Sequence, residues 1–215
     1  FNHRQDYRLP APSQKNLNTH NKPLPFHPII HLPPVYDVYD FTDGYDPDRP
    51  RRDYGIGRYD EVRPGMYTTE QFEAEHGRVR NIHMGIDIGC PAGTPVHAFD
   101  AGTLILQRDN DQPGDYGPTI ICEHVLDGQP IYVLLGHLAR SSLQSRQIGT
   151  DFKRGDVLGH VGEKHENGGW NPHVHVQLAI DRPDVADLPG AVSADDRAEA
   201  RRKFPDPRRI LGPIY

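Results

Sequence analysis

Between about residue 95 and residue 180 the apolar positions fall in short runs instead of at helical intervals. Segments 95–99, 102–107, 118–124, 130–137, 156–161 and 173–180 are rich in Val, Ile, Leu and Thr and are bounded by Gly, Pro, Asp or Asn, a pattern that predicts strands joined by turns. Several short strands at this spacing predict an all-β domain, an antiparallel sheet or sandwich with a groove. Helical signals are few. Thr68 to Gly77 has a Thr cap, an acidic first turn and a closing Gly, Ser141–Ser145 reads as a helical turn, and a helix is expected from about Ser193 to Lys203.

The ends have a different texture. Prolines at 10, 12, 23, 25, 28, 33 and 34 forbid long helices or central strands, so residues 1–52 are expected to form an extended arm. Phe26, Ile29, Ile30, Leu32, Val35, Tyr36 and Phe41 would lay part of it against the core. Residues 53–182 then form the folded domain and 183–215 a polar C-terminal extension.

Composition narrows the function classes. Glycine and proline number 21 each and hydrophobic residues make up 35%, which fits a loop-rich β protein and opposes a helical bundle. A net charge of -6 argues against general attraction to nucleic acid or to an anionic membrane. No apolar run approaches the ~20 residues of a membrane span, and the first 30 residues are too polar and proline-broken to read as a secretory signal. Cys90 and Cys122 could pair, but two buried thiols are the preferred reading. Oligomeric state is not legible.

Three clusters carry the chemistry: His83-Met-Gly-Ile-Asp87, Gly136-His137-Leu138 and His173-Val174-His175. Imidazole nitrogen and carboxylate oxygen suit zinc, and catalytic zinc sites keep three protein ligands and one open position. On a strand His173 and His175 share a face about 6.6 Å apart, so either or both could bind the ion. Four residues of regular strand would hold His83 and Asp87 about 13 Å apart. The chain must therefore bend, Gly85 is placed to allow it, and His83 is expected in a loop folding back toward Asp87. His137 closes the apolar run Ile131–Leu135, where a strand end could aim it into the same pocket.

The stretch from His83 through Gly-Thr-Pro-Val at 93–96, Asp100-Ala-Gly-Thr-Leu, Gly136-His137-Leu138, Gly155-Asp-Val-Leu-Gly-His-Val-Gly162 and Pro172-His173-Val-His175 resembles the lysostaphin/LytM-type zinc metallopeptidases, peptidase family M23. The resemblance covers about residues 82–180 in the family's motif order. It implies a small antiparallel β fold with a groove, His83, Asp87 and His175 as zinc ligands, and His137 and His173 as the unliganded catalytic pair. It further implies a zinc-dependent endopeptidase acting outside the cytoplasm on peptidoglycan crosslinks, stem peptides or other small peptides. Two departures leave the ligands intact: Leu135 where the family often has an aromatic residue, and Cys90 in place of a small aliphatic one.

Other readings compete. A zinc-stabilised module that keeps the groove without cleaving is the main alternative. A lipoyl- or biotinyl-carrier domain would need a lysine on a hairpin tip, and none of Lys15, Lys22, Lys153, Lys164 and Lys203 lies in such a turn. His76 reads as a helix-end side chain, and His97, His124 and His160 read as packed or surface imidazoles. Trp170 could line the groove or staple a loop. Groove walls are expected from 108–117, 139–150 and 163–172. An arm carrying His20 and a run of aspartates could also reach the groove and supply a fourth ligand, as a segment does in some relatives of the family.

Overall fold

The computed structural model describes residues 26–46, 51–69, 72 and 78–215. The predicted helix at 68–77 and its His76 therefore fall largely outside the described residues, as do His20 and Asp48.

Strands dominate, in the order β1 (Asp37–Val38), β2 (Gly55–Gly57), β3 (Ile82–His83), β4 (Ile86–Gly89), β5 (Pro95–His97), β6 (Gly102–Asn110), β7 (Gly117–Leu126) and β8 (Gln129–Gly136). After the single helical turn α1 (Ser142–Ser145) come β9 (Asp151–Phe152), β10 (Val157–His160), β11 (His173–Ala179) and β12 (Ala191–Val192), then α2 (Arg197–Lys203) and α3 (Arg208–Leu211). Eight strands form one sheet in the order β1-β2-β4-β11-β8-β7-β6-β9. Every pairing in it is antiparallel except β1 with β2. The two-stranded antiparallel pairs β5–β10 and β3–β12 stand apart from it.

Period-two alternation gives this sheet two faces. Val174, Val176 and Leu178 of β11, Ile86 and Ile88 of β4, and Val133 and Leu135 of β8 enter the main core together with Val96 of β5 and Leu158 of β10. On the other face β11 presents His173, His175 and Gln177, and β4 presents Asp87. Cross-strand register sets His175 opposite Asp87 on one side and opposite Gly136 on the other. One central strand thus brings all three sequence clusters side by side.

The arm joins the fold through Ile29 and Ile30, which are 2% and 3% exposed. Phe26 packs edge-on against Phe99, and Tyr36 donates to the Ile214 carbonyl. Arm and C-terminal extension therefore touch. Ile210 and Leu211 of α3 are buried in the main core, so the proline-rich end holds a helix that its composition did not announce. Cys90 and Cys122 are both buried and unpaired, and burial pushes their thiols up to about 11 and about 12.

Two expectations need correction. His83 is not in a loop: it closes β3, paired with Ala191 of β12, and the bend occurs after it at Met84-Gly85. None of residues 139–150 lines the cleft beside His83, and Ser142 Oγ accepts a hydrogen bond from the His160 amide.

Candidate metal centre

His83 Nε2, Asp87 Oδ1 and His175 Nδ1 form a triangle with sides of 3.2, 2.9 and 3.1 Å. Both imidazoles are 2% exposed. Their outer nitrogens decide what the inner ones carry. His83 Nδ1 lies 2.9 Å from the Arg58 carbonyl, which can only accept, so that nitrogen holds the hydrogen and Nε2 is left with a lone pair. Gln177 Nε2 donates to the Pro189 carbonyl, which turns its Oε1 to His175 Nε2 at 3.0 Å. His175 therefore keeps its hydrogen on Nε2 and a lone pair on Nδ1.

Three acceptors face one another with no proton among them. Such a cluster suits a cation. At metal–ligand distances of roughly 2.0–2.2 Å, tetrahedral ligand atoms lie about 3.3–3.6 Å apart, and the observed sides are near that spacing. Among the described residues, His83, Asp87 and His175 are the group whose donor atoms already converge for a metal ion. Zinc fits this donor set.

Ionisation states agree. Burial, reinforced by Arg63, pushes His83 down to about 4, so the ring is neutral at pH 7. Burial alone would disfavour an Asp87 carboxylate, but the Arg63 guanidinium holds it well below the usual range. Arg63 is charged at any ordinary pH. Its Nη1 lies 2.7 Å from Asp87 Oδ2 and its Nε 3.0 Å from Glu61 Oε2, so one carboxylate oxygen is tied back and the other faces the triangle.

Gly85 serves the site differently from its predicted role. Its φ is not in the left-handed region. A Cβ there would lie 2.4 Å from His175 Cε1 and 2.8 Å from the Val176 carbonyl, so the missing side chain is the space the His175 ring occupies.

His137 and His173 stand beside the triangle with ring centroids 4.1 Å apart. His137 Nδ1 donates to the Asn167 carbonyl at 2.8 Å and His173 Nδ1 to the Asn171 carbonyl at 2.7 Å, leaving both Nε2 atoms as acceptors; that of His173 is 3.8 Å from Asp87 Oδ1. Burial lowers both pKa values, His137 well below its ordinary range. His137 also has φ 62°, a left-handed conformation that is uncommon outside glycine. Backbone bonds to Tyr116 and Gly162 on either side hold it there.

The five groups open onto a cleft of about 420 Å³. Gly114–Tyr116 and Trp170–Pro172 line it, as do Asp187–Gly190 and, from the arm, Tyr39, Phe41, Tyr45 and Arg51. The arm contributes a bank of the cleft. Of its described carboxylates, Asp37 pairs with Arg52 and Asp40 with Arg58, and none joins the converging donors. Trp170 takes both suggested roles, lining the cleft while its Nε1 donates to the Asp115 carbonyl.

Residues 81–186 match the model of peptidase family M23. The chain carries an M23 domain. Curated relatives include the DD-carboxypeptidase/endopeptidase Mpg of Neisseria meningitidis and that of Neisseria gonorrhoeae, each 28% identical over 119 residues, covering 55% of this chain and 25% of the relative. The chain thus spans about a quarter of the length of the curated relatives it matches. Solved structures similar to it include the catalytic domain of lysostaphin from Staphylococcus simulans, with TM-score 0.45 and 19% identity over 69% of this chain and 92% of that one. A putative M23 peptidase from Pseudomonas aeruginosa has TM-score 0.41 and 26% identity over 60% of this chain and 43% of that one.

Within the M23 domain the structure gathers all five predicted site residues. Sequence reasoning missed the residues that hold them: Arg63, Glu61, Gln177 and Asn167. Asn167 is fully buried, accepts from the Trp170 amide and donates to the Trp170 carbonyl, and so shapes the loop whose carbonyl holds His137. The one available signal was Gln177 itself, a polar residue on the His173/His175 face of an apolar strand.

Proposed function

We propose that this chain is a zinc-dependent endopeptidase that hydrolyses peptide bonds, in peptidoglycan crosslinks or stem peptides, outside the cytoplasm. The observation that carries the reading is the trio of inward-facing acceptors on His83, Asp87 and His175 with two further neutral imidazoles beside it. Zinc held by that trio would supply Lewis acidity toward a peptide carbonyl and make a water more acidic.

The chain's own residues handle the proton. At neutral pH the Nε2 atoms of His137 and His173 are free to accept one from the attacking water as its oxygen bonds to the carbonyl carbon. Two rings 4.1 Å apart resist double protonation, so one takes the proton while the other stays neutral. The protonated ring can stabilise the oxyanion and pass its proton to the amine as the C–N bond breaks. The Neisseria relatives are named for carboxypeptidase and endopeptidase action, and that bond class comes to this chain as part of the proposal. Among the described residues no helix is long and apolar enough to cross a membrane.

Zinc content and the fragments released from defined peptidoglycans test the proposal. Wild-type protein should bind zinc and cleave, His83→Ala should lose most of its zinc and its activity, and His137→Ala should keep zinc but lose activity. Zinc-free wild type, or unchanged hydrolysis by His83→Ala, would overturn it. Zinc-loaded wild type that cleaves nothing across the panel would favour the non-catalytic module.

A further inference from the structure

On the core side of the molecule a second group of imidazoles has formed between the arm and the β5–β10 pair. His27 and His31 come from the arm and His97 from β5, and none of the three was a metal candidate in the sequence. Their ring centroids are 5.1 Å apart for His27–His31, 5.0 Å for His27–His97 and 5.1 Å for His31–His97. We propose that His27, His31 and His97 form a second transition-metal site that pins the arm to the β5–β10 pair.

Spacing is the main support. A metal about 2.0–2.1 Å from an imidazole nitrogen lies roughly 3.2 Å from the ring centre, and three such rings in tetrahedral array have centres about 5.2 Å apart. All three distances match. The protein offers its own yardstick: His83 and His175, whose nitrogens already converge, have centroids 4.9 Å apart.

Hydrogen bonding points the same way. His27 Nδ1 donates to the Pro28 carbonyl at 2.8 Å and His97 Nδ1 to the Gly155 carbonyl at 3.0 Å. Each then has its lone pair on Nε2, the arrangement in which a carbonyl orients a ligating histidine. Ring contacts with His27 and His97 hold His31. Metal binding requires the three rings to turn until their nitrogens converge, whereas at His83, Asp87 and His175 convergence is already in place. His31 is exposed and the other two are part-buried, so an ion has a direct path in. Its neighbours keep the backbone in register: the His27 amide donates to the Phe99 carbonyl, and the His97 amide to the Ile29 carbonyl.

Cobalt(II) titration of the whole, metal-stripped chain tests this independently of hydrolysis, by visible absorption and bound-metal stoichiometry. Wild type should take up two equivalents and His31→Gln one, with His97→Gln behaving like His31→Gln. His175→Ala should also bind one equivalent, now removable by adding His31→Gln. A wild-type stoichiometry of one would overturn the proposal, as would two equivalents that persist in both His31→Gln and His97→Gln. Because His31 is exposed, its substitution leaves folding intact and either result can be read.

Discussion

Gly85 shows how much one absent methyl can decide. Its missing Cβ is the space in which the His175 ring stands, and the same ring faces Asp87 and His83. Gly85→Ala should therefore displace His175 and press on the Val176 carbonyl of β11, weakening zinc binding by about 10–100-fold, the range associated with disturbed support of a ligand. Competition with a chromogenic zinc chelator measures this. Zinc affinity equal to wild type would show that the ring has room elsewhere. Arg63 is another single-residue determinant. Buried and bonded to both Asp87 and Glu61, it settles which carboxylate oxygen is free, yet it lies 24 positions from its partner with no local motif. Sequence pattern registers which residue types could ligate; it is blind to a guanidinium that arrives by tertiary folding.

At the scale of elements, the loop from Gly162 to Pro172 supports His137 and His173, the pair proposed to handle the proton. Its Asn167 carbonyl fixes the His137 ring and its Asn171 carbonyl fixes His173. Asn167→Ala removes the side-chain bonds that shape this loop, and is expected to lower kcat about 100-fold, the scale of a catalytic group misplaced by about 1 Å, with zinc content unchanged. Parallel metal analysis and steady-state kinetics check it; loss of zinc would mean that the loop supports the metal trio as well. The strands were the legible part, because β5 to β8, β10 and β11 each carry a run of β-branched and apolar residues between turn residues. The two-residue strands β1, β3, β9 and β12 were not, since pairing partners far along the chain define them and two residues hold no period. Met84-Gly85 was foreseen as a bend from a distance constraint alone, although the need for glycine there turned out to be spatial.

Across the whole molecule, acid should act through buried neutral imidazoles. His124 lies outside the metal centre, packed against Phe99 and Phe152, and burial pushes it down to about 4. The unfolded chain would protonate it near 6.5. Since the folded state binds fewer protons, stability is complete above about pH 6.5 and falls as pH drops toward 4, by roughly 3 kcal/mol from this group. Urea unfolding at pH 7.5 and pH 5 should show a smaller acid loss for His124→Phe than for wild type. Equal losses would place the acid sensitivity elsewhere. The arm's adhesion was foreseen from its scattered apolar residues, but its aromatic bank along the cleft was not, because Tyr39, Phe41 and Tyr45 carry no periodic signal.

If the inward-facing lone pairs of His83, Asp87 and His175 hold zinc as proposed, they couple metal supply to folding. Brought together without a cation, they repel, and unfolding relieves that repulsion. An ion that binds the folded arrangement and not the unfolded chain adds about 1.4 kcal/mol to stability for each tenfold rise in its free concentration above the dissociation constant. By mass action, then, the lifetime of the folded chain would track the zinc around it. A scarce supply would leave a population easier to unfold and digest, while a rich one would protect the copies equipped to work.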